Sequence, residues 1–208
     1  MEFIELDKDD EASIREMSTM ASEIVKEHYD PIIGEAQNDY MIRRFQSPEA
    51  IRKQLEEGAH YHFVAEEGTV IGFLSYYLRD DSLYLSKLYL YKVHRGRGHA
   101  RGMVEFLADR ARKAGLGSIE LNVNRHNDAV KAYEALGFER LREERNDIGG
   151  GFVMDDYVYG LQVGDGSHVG IGLNTDDGSH VDDGFITDDG SQVGDGLNTD
   201  DGSHVGDA

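Results

Sequence analysis

Cysteine is absent from this sequence of 208 residues. The chain can therefore form neither disulfides nor thiolate metal sites, and it has no cysteine nucleophile. It also lacks any apolar run approaching the ~20 residues of a membrane-spanning helix, and its first residues lack the basic start and apolar core of a signal peptide. We expect a cytoplasmic protein with no membrane partner.

Basic residues are also scarce, since 21 Lys and Arg stand against 41 Asp and Glu, which gives a formal net charge of -20. Proteins that coat nucleic acids neutralise phosphates with clustered Lys and Arg, and an excess of acid of this size opposes such binding. The apolar content, 39% of the residues, is sufficient for a folded core. The composition predicts a folded protein with no nucleic-acid partner.

The composition changes abruptly after residue 163. Residues 1–163 carry 30 acidic and all 21 basic residues, a formal charge of -9, whereas residues 164–208 carry 11 aspartates and no base. The pentapeptide DGSHV and its variant DGSQV recur every twelve residues, beginning at Asp165, Asp177, Asp189 and Asp201. This regularity indicates tandem duplication. The sequence thus predicts an N-terminal domain, 1–163, and an Asp- and Gly-rich repeat tail, 164–208.

Each twelve-residue unit of the tail contains few apolar residues, so ordering it would cost more backbone entropy than burial could return. We therefore predict that the tail is disordered. Two alternatives stay open, a calcium-binding repeat and a small stacked solenoid. The closing Glu of an EF-hand is absent, however, and the nonapeptide calcium repeat has a different period. We predict no metal site.

Helical and strand patterns alternate within the first region. Hydrophobic spacing and capping residues predict helices over 11–28, 32–45, 48–57, 100–114 and 128–136. Runs of β-branched, aromatic and aliphatic residues predict strands over 2–6, 61–65, 70–78, 83–93, 118–123, 138–143 and 151–161. The strands of the front half are joined by short turns, and the back half contains a crossover. The order predicts an α/β fold with a mixed, mostly antiparallel twisted sheet flanked by helices.

The strand predicted over 83–93 is the most apolar one and is expected at the centre of the sheet. Simple alternation divides its side chains between two faces. One face would carry Leu83, Leu85, Lys87, Tyr89 and Tyr91, and the other Tyr84, Leu88 and Leu90.

The segment after this strand, RGRGHAR, combines glycines with basic side chains. Gly96 and Gly98 allow backbone amides to approach an anion, and the following helix directs its positive end at the same place. Arg95, Arg97 and Arg101 add charge in an otherwise acidic chain. A tight connection with solvated arginines would have the same composition. Because neither the Walker pattern nor a Rossmann fingerprint fits, the pattern favours a diphosphate site of another kind.

Two motifs in this region resemble those of the GNAT superfamily of N-acetyltransferases. Arg95, Gly98 and Ala100 match the cofactor motif Arg or Gln, two residues, Gly, one residue, Gly or Ala. The segment NDAVKAYEALGF, 127–138, is similar to the second motif. The resemblance implies an acyltransferase that moves an acetyl group from acetyl-CoA to an amine.

The resemblance also implies roles for particular residues. Tyr133 corresponds to a tyrosine that is proposed to protonate the leaving thiolate and is the expected catalytic residue. Backbone groups near Leu90 would bind the pantetheine arm, and the glycine loop would bind the pyrophosphate. The implied cofactor residues are Leu88, Tyr89, Leu90, Arg95, Gly96, Arg97, Gly98, His99, Ala100, Arg101 and Asn127.

The chain departs from the family pattern in two respects. Lys92, Val93 and His99 replace residues that are usual in and before the loop. The positions at which relatives often carry a catalytic glutamate match Ser86 and Asn122, and neither side chain can take a proton at neutral pH. The sequence therefore does not identify the general base. The candidates are His60, His62, Asp155 and Asp156.

The acceptor can be inferred only as a class. An acidic surface and tyrosine-rich strands suit a cationic primary amine, which favours a small or polyamine-like substrate. A protein lysine or N-terminal amine is an alternative, and so is a non-catalytic acyl-CoA sensor that lacks the chemistry. The sequence is also compatible with a homodimer.

Overall fold

A computed structural model describes residues 1–164. The repeats, from Asp165 onward, and their predicted disorder lie outside the described residues. The helices are α1 (Glu11–Ile33), α2 (Glu35–Met41), α3 (Pro48–Glu56), α4 (His99–Lys113) and α5 (Ala129–Ala135). The strands are β1 (Glu2–Glu5), β2 (His60–Glu66), β3 (Thr69–Leu78), β4 (Leu83–Leu90), β5 (Ser118–Asn124), β6 (Glu139–Gly149) and β7 (Phe152–Gln162).

The strands form one seven-stranded sheet in the order β1-β2-β3-β4-β5-β7-β6. Neighbouring strands are antiparallel except β4 and β5, which are parallel and are joined by the α4 crossover. A core containing Leu121 and Met103 lies between one face of the sheet and helices α4 and α5. A second core, containing Ile24 and Phe73, lies under α1 and α3 on the other face. The predicted mixed, mostly antiparallel α/β fold is confirmed.

The region before α3 contains separate helices, as predicted over 11–28 and 32–45, but they divide at a different residue. Asp10 caps α1 by accepting hydrogen bonds from the amides of Ala12 and Ser13, both at 3.1 Å, and α1 continues to Ile33. Gly34, with φ of 84°, then interrupts the helix, because a left-handed residue cannot continue it. After α2 the chain forms a π-helical turn, Ile42–Gln46, a feature often found at functional sites.

Strand β4 is shorter than predicted, because it ends at Leu90 instead of residue 93. The amide of Tyr91 still donates to the carbonyl of Ile71 at 3.0 Å. The amide of His94 then donates to the carbonyl of Tyr91 at 2.8 Å, and a short 3-10 helix, Lys92–His94, carries the chain away from the sheet.

A bulge in β4 also makes the predicted division of its side chains wrong. Ser75 of β3 faces Lys87, but the next residue of β3, Tyr76, faces Leu85, so Ser86 is the extra residue. An extra residue reverses the alternation beyond it. The leucines on both sides of the bulge therefore share the core under α4, whereas Tyr89 packs against the opposite core. These leucines are Leu83, Leu85, Leu88 and Leu90.

Strand β6 continues to Gly149, well beyond its predicted range of 138–143, whereas β7 agrees with its predicted range of 151–161 to within one residue at each end. The turn between them consists of Gly150 and Gly151, and these two residues and Gly149, the last residue of β6, have positive φ. Its base is held against α2, since the Tyr40 hydroxyl donates to the carbonyl of Ile148 at 2.8 Å. Within residues 1–164, no helix has the length and apolar character needed to cross a membrane.

Candidate active site

The parallel strands β4 and β5 pair over a short distance only. Their register covers Leu83–Leu85 against Ile119–Leu121, although the strands continue to Leu90 and Asn124 without further pairing. The backbone edge of β4 that faces β5 is therefore left open beyond the bulge. We call the space between these two carboxyl ends the β4–β5 cleft, and the two strand ends that border it the β4 arm and the β5 arm.

The segment RGRGHAR, residues 95–101, follows β4 and lies at the end of the β4 arm; we call it the glycine loop. Gly96 and Gly98 have φ of 71° and 80°, which is the left-handed conformation that glycine adopts without strain. No side chain caps the first turn of α4, so its amides remain directed out of the helix. Successive amides at the positive end of a helix can hold a diphosphate. The loop thus fits a pyrophosphate, the group that the sequence motif implied.

The three arginines of the loop have different surroundings. Arg95 turns back into the protein, where its Nε donates to the carbonyl of Leu90 at 3.0 Å and its Nη1 lies 3.5 Å from Nδ1 of His28. Arg97 and Arg101 are exposed. Neither forms an ion pair in the part of the chain that the structure describes. Arg95 therefore supports the loop from behind, while Arg97 and Arg101 can meet an anion in front of it.

His99, the first residue of α4, points inward and is buried. Its Nε2 lies 3.5 Å from a carboxylate oxygen of Glu66, the last residue of β2, a separation that is too long for a strong hydrogen bond. Its ring is centred 6.5 Å from the ring of His94. Ala100 beside it is also buried. His99 thus contributes its backbone to the loop, and its side chain fixes the start of α4 against the β2–β3 hairpin.

The side chains of Leu88, Tyr89 and Leu90 are fully buried, so only their backbone groups can contact a ligand in the cleft. Gly72 of β3 lies directly behind them. A Cβ atom at Gly72 would lie 2.1 Å from the carbonyl oxygen of Tyr89 and 2.9 Å from Cα of Leu90. The position of this stretch of β4 therefore depends on a glycine that sequence inspection did not single out.

Asn127 lies at the end of the β5 arm and is buried. Its Oδ1 accepts a hydrogen bond from the amide of Ala129 at 3.0 Å and lies 3.2 Å from Nε2 of His28. Its Nδ2 donates to the hydroxyl of Tyr29 at 3.3 Å. Asn127 thus hydrogen-bonds to the first residue of α5 and to two residues near the C-terminal end of α1. Sequence inspection missed His28 and Tyr29, because two adjacent residues within a helix carry no local motif.

His28 is neutral in this setting. Burial, reinforced by the positive charge of Arg95, holds the pKa of its imidazole below the ordinary value. A guanidinium can only donate hydrogen bonds, so Nδ1 accepts from Arg95 and the proton lies on Nε2, which donates to Asn127. His28 therefore connects the two arms of the β4–β5 cleft.

Tyr133 is fully buried on α5. Its ring packs edge to face against Phe138, with 5.4 Å between the centroids. It belongs to the same core as Leu85 and Leu88 of β4 and Val123 of β5. The tyrosine therefore lies on the α4–α5 face of the sheet, among residues of both strands that border the cleft.

Three of the four candidate bases are either distant from the cleft or already paired. His60 and His62 are on β2, which β3 separates from β4. The His60 ring contacts the carboxylate of Glu5 at 2.9 Å. Burial lowers the pKa of His62 to about 4. The carboxylate of Asp155 forms an ion pair with Arg125.

The fourth candidate, Asp156, is buried on β7 directly opposite Asn124 of β5. It lines a narrow pocket with six other residues, which we call the α1–β7 pocket. Its lining residues are Tyr29, Ile33, Gln37, Met41, Asn124, Met154 and Asp156.

Asn122, one position that lacks the expected glutamate, nevertheless contacts a carboxylate from another strand. Its Oδ1 accepts from the hydroxyl of Tyr84 at 3.0 Å, and its Nδ2 donates to Glu144 of β6 at 3.1 Å. Burial acts to raise the pKa of Glu144, but hydrogen bonds from Asn122 and Arg142 outweigh it and hold that pKa below its ordinary value. Glu144 is therefore charged at neutral pH.

A family model described as an acetyltransferase (GNAT) domain matches residues 29–154, more than half of the chain. This chain belongs to the GNAT acetyltransferase family. The match includes both arms of the β4–β5 cleft. The acetyltransferase is thus an acyltransferase with acetyl-CoA as its acyl donor, and this part of the sequence-based prediction is confirmed.

Solved structures of similar fold accord with the family. The PaiA N-acetyltransferase of Thermoplasma acidophilum, in complex with coenzyme A, is 18% identical with a TM-score of 0.59, and the match covers 78% of this chain and 99% of that one. A GCN5-related N-acetyltransferase from Rhodopseudomonas palustris is 13% identical with a TM-score of 0.62, over 77% and 94% of the two chains. The protein yncA from Salmonella typhimurium, with its cofactor acetyl-CoA, is 21% identical with a TM-score of 0.51, over 80% and 96%. No curated protein matches the sequence.

Proposed function

We propose that this acetyltransferase transfers the acetyl group of acetyl-CoA to the primary amine of a small, cationic, polyamine-like molecule. Donor and acceptor bind together, and the amine attacks the thioester directly. The observation that carries the proposal is the β4–β5 cleft, which lies between the open backbone edge of β4, followed by the glycine loop, and the end of β5, followed by Asn127. A cleft of this shape accommodates a long, thin donor along one strand. The thioester end of the donor is then accessible to a second substrate.

Each arm of the cleft contributes one part of donor binding. The amides of residues 96–101 and the charges of Arg97 and Arg101 bind the pyrophosphate. The open edge of β4 from Leu88 to Leu90 binds the pantetheine arm through backbone groups, which explains why buried side chains at these positions are compatible with a binding role. Asn127 fixes the other side of the cleft.

Bound acetyl-CoA supplies an activated acetyl group as a thioester. A backbone amide near Leu90 polarises the thioester carbonyl and stabilises the negative charge that develops on its oxygen. The amine first loses a proton to a base, and its nitrogen then forms a bond to the carbonyl carbon as the carbon–sulfur bond breaks. Tyr133 donates its hydroxyl proton to the departing thiolate and is reprotonated from the second proton of the attacking nitrogen. The products are an N-acetylamine, free coenzyme A and one proton released to solvent.

The experiment is free-thiol release from acetyl-CoA by the full chain, measured across a panel of primary amines. The panel contains diamines, monoamines, amino acids and a lysine-containing peptide. We expect release with small cationic amines at rates that saturate with both substrates, and a ternary complex predicts intersecting lines in a two-substrate analysis. Preference for the peptide would favour a protein acetyltransferase. Binding of acetyl-CoA without thiol release for any amine would show a sensor and disprove the proposed reaction.

A further inference from the structure

Asp156 is a buried carboxylate at the floor of the α1–β7 pocket. It lies on β7 between Asn124 of β5 and Glu144 of β6, its cross-strand partners. Paired residues of neighbouring strands project from the same face of a sheet, so the three polar side chains form a row. Met154, two residues earlier on the same face, packs against Met41. The pocket therefore combines a carboxylate with apolar walls.

This pocket adjoins the end of the β5 arm of the β4–β5 cleft. Tyr29 lines it, and the Tyr29 hydroxyl accepts a hydrogen bond from Nδ2 of Asn127 at 3.3 Å. Asn124, which also lines it, is joined to Asn127 by a backbone hydrogen bond of 2.9 Å. Tyr29 and Asn124 thus connect the pocket with Asn127, the residue expected beside the pantetheine arm. An acceptor held in the pocket would reach the donor from the α1 face of the sheet.

The charges around the pocket favour a cation. None of the seven lining residues is basic, and Asp156 is the acidic one. Glu144 beside it stays ionised as well, but its charge is paired with Arg142 at 2.8 Å, so Asp156 carries the attraction. Arg125, which follows β5, is engaged elsewhere, since it pairs with Glu143 at 3.3 Å and with Asp155. A ligand carrying an ammonium group would be attracted to this row, whereas an anionic ligand would be repelled.

We propose that Asp156 is the catalytic residue that receives the acceptor: it binds the ammonium form of the amine and takes its proton before attack. The pocket has a volume of about 10 Å³, room for about one group of the size of a water molecule, so it accommodates the ammonium head of the acceptor and not its chain. Gln37, whose Nε2 donates to the carbonyl of Val153 at 3.0 Å, holds one wall in place. This inference rests on the proposed function and names the base and the acceptor class for the same reaction.

The neighbouring residue provides a matched control. Asp155 has the same carboxylate but faces the opposite side of the sheet, with Tyr157, and pairs with Arg125. We expect Asp156→Asn to lower kcat/KM for the amine by about 100-fold or more, the contribution typical of a positioned base. The KM for acetyl-CoA should stay within about threefold, because the substitution does not touch the loop. Asp155→Asn should retain most of the activity. Equal kcat/KM for wild type and Asp156→Asn would overturn the proposal.

A second measurement uses the wild-type chain and does not depend on how a variant folds. Three acceptors with four carbons each, 1,4-diaminobutane, n-butylamine and 4-aminobutanoate, have a cationic, an uncharged and an anionic far end. We expect the anionic acceptor to have the lowest kcat/KM. A preference for 4-aminobutanoate would overturn the assignment of a cation-selective pocket while leaving the acetyl transfer established, whereas thiol release with none of the three and with no other amine would refute the proposed function itself.

Discussion

Nε2 of His28, on α1, lies 3.2 Å from Oδ1 of Asn127, at the start of α5. The other ring nitrogen lies 3.5 Å from the Arg95 guanidinium at the base of the glycine loop. One neutral imidazole therefore joins both arms of the β4–β5 cleft to the helix that covers it.

We expect His28→Ala to raise the KM for acetyl-CoA by about 10- to 30-fold, because two hydrogen bonds of about 1 kcal/mol each help to hold the two arms in place. His28→Gln should restore part of the loss, since an amide can both donate and accept. Steady-state kinetics on both variants tests this. His126→Ala is the control, because His126 is an exposed histidine in the β5–α5 loop. An unchanged KM for His28→Ala would show that the bridge does not order the cleft.

Tyr133→Phe is expected to lower kcat by about 100-fold or more, because the thiolate would leave without a proton donor. The affinity for acetyl-CoA should change little, since the ring keeps its contact with Phe138. Stopped-flow turnover and equilibrium binding of acetyl-CoA measure the two effects separately. Tyr157→Phe, on β7, serves as the control. A kcat equal to that of wild type would remove Tyr133 from the proton-donor role.

Gly72→Ala should abolish acetyl-CoA binding or weaken it severely. The new Cβ would lie 2.1 Å from the carbonyl oxygen of Tyr89, so β4 must move, at a cost of about 1–3 kcal/mol in stability. Isothermal titration calorimetry with acetyl-CoA and thermal unfolding report the two consequences. Gly117→Ala is the control, because nothing lies within 4 Å of its added Cβ. Normal binding by Gly72→Ala would contradict the dependence on the β4 backbone.

Arg97→Ala and Arg101→Ala should each weaken acetyl-CoA binding and also reduce its dependence on salt concentration, because both side chains are exposed and their attraction to phosphate is screened by ions. Arg95→Ala should act differently. It removes the hydrogen bond to the carbonyl of Leu90, so we expect a lower melting temperature with the salt dependence retained. Binding titrations at several salt concentrations distinguish the two kinds of arginine. Identical behaviour of all three variants would contradict this division.

His62 should make stability dependent on pH. Burial lowers its pKa from about 6.5 in the unfolded chain to about 4, against the opposing charge of Glu5. The folded state therefore binds a proton less readily, and its stability is full above pH 6.5 and falls as the pH drops from 6.5 towards 4. The loss reaches about 2 kcal/mol by pH 5. Urea unfolding at pH 7.5 and pH 5 should show this loss in wild type and a smaller one in His62→Phe, which keeps the contact with Phe106.

Local patterns in the sequence were sufficient for most of the fold. The strands, the α4 crossover and the glycine loop follow from periodicity, turn residues and the concentration of arginines, all of which depend on near neighbours in the chain. The paired motifs at Arg95–Ala100 and 127–138 then indicated the family, which the match over residues 29–154 confirmed. Simple alternation failed in β4, because the extra residue at Ser86 is visible only against its partner β3.

The sequence by itself determined that this chain is a GNAT acetyltransferase, because the loop and the second motif are continuous segments whose residue types carry their own chemistry. Tertiary structure alone decided what surrounds them. His28 is 99 residues from Asn127, and Tyr29 is 127 residues from Asp156. These pairs meet only because α1 folds over the ends of β4, β5 and β7, and no local pattern encodes that contact. The same folding separated the candidate bases, placing His60 and His62 on β2 and leaving Asp156 beside the cleft.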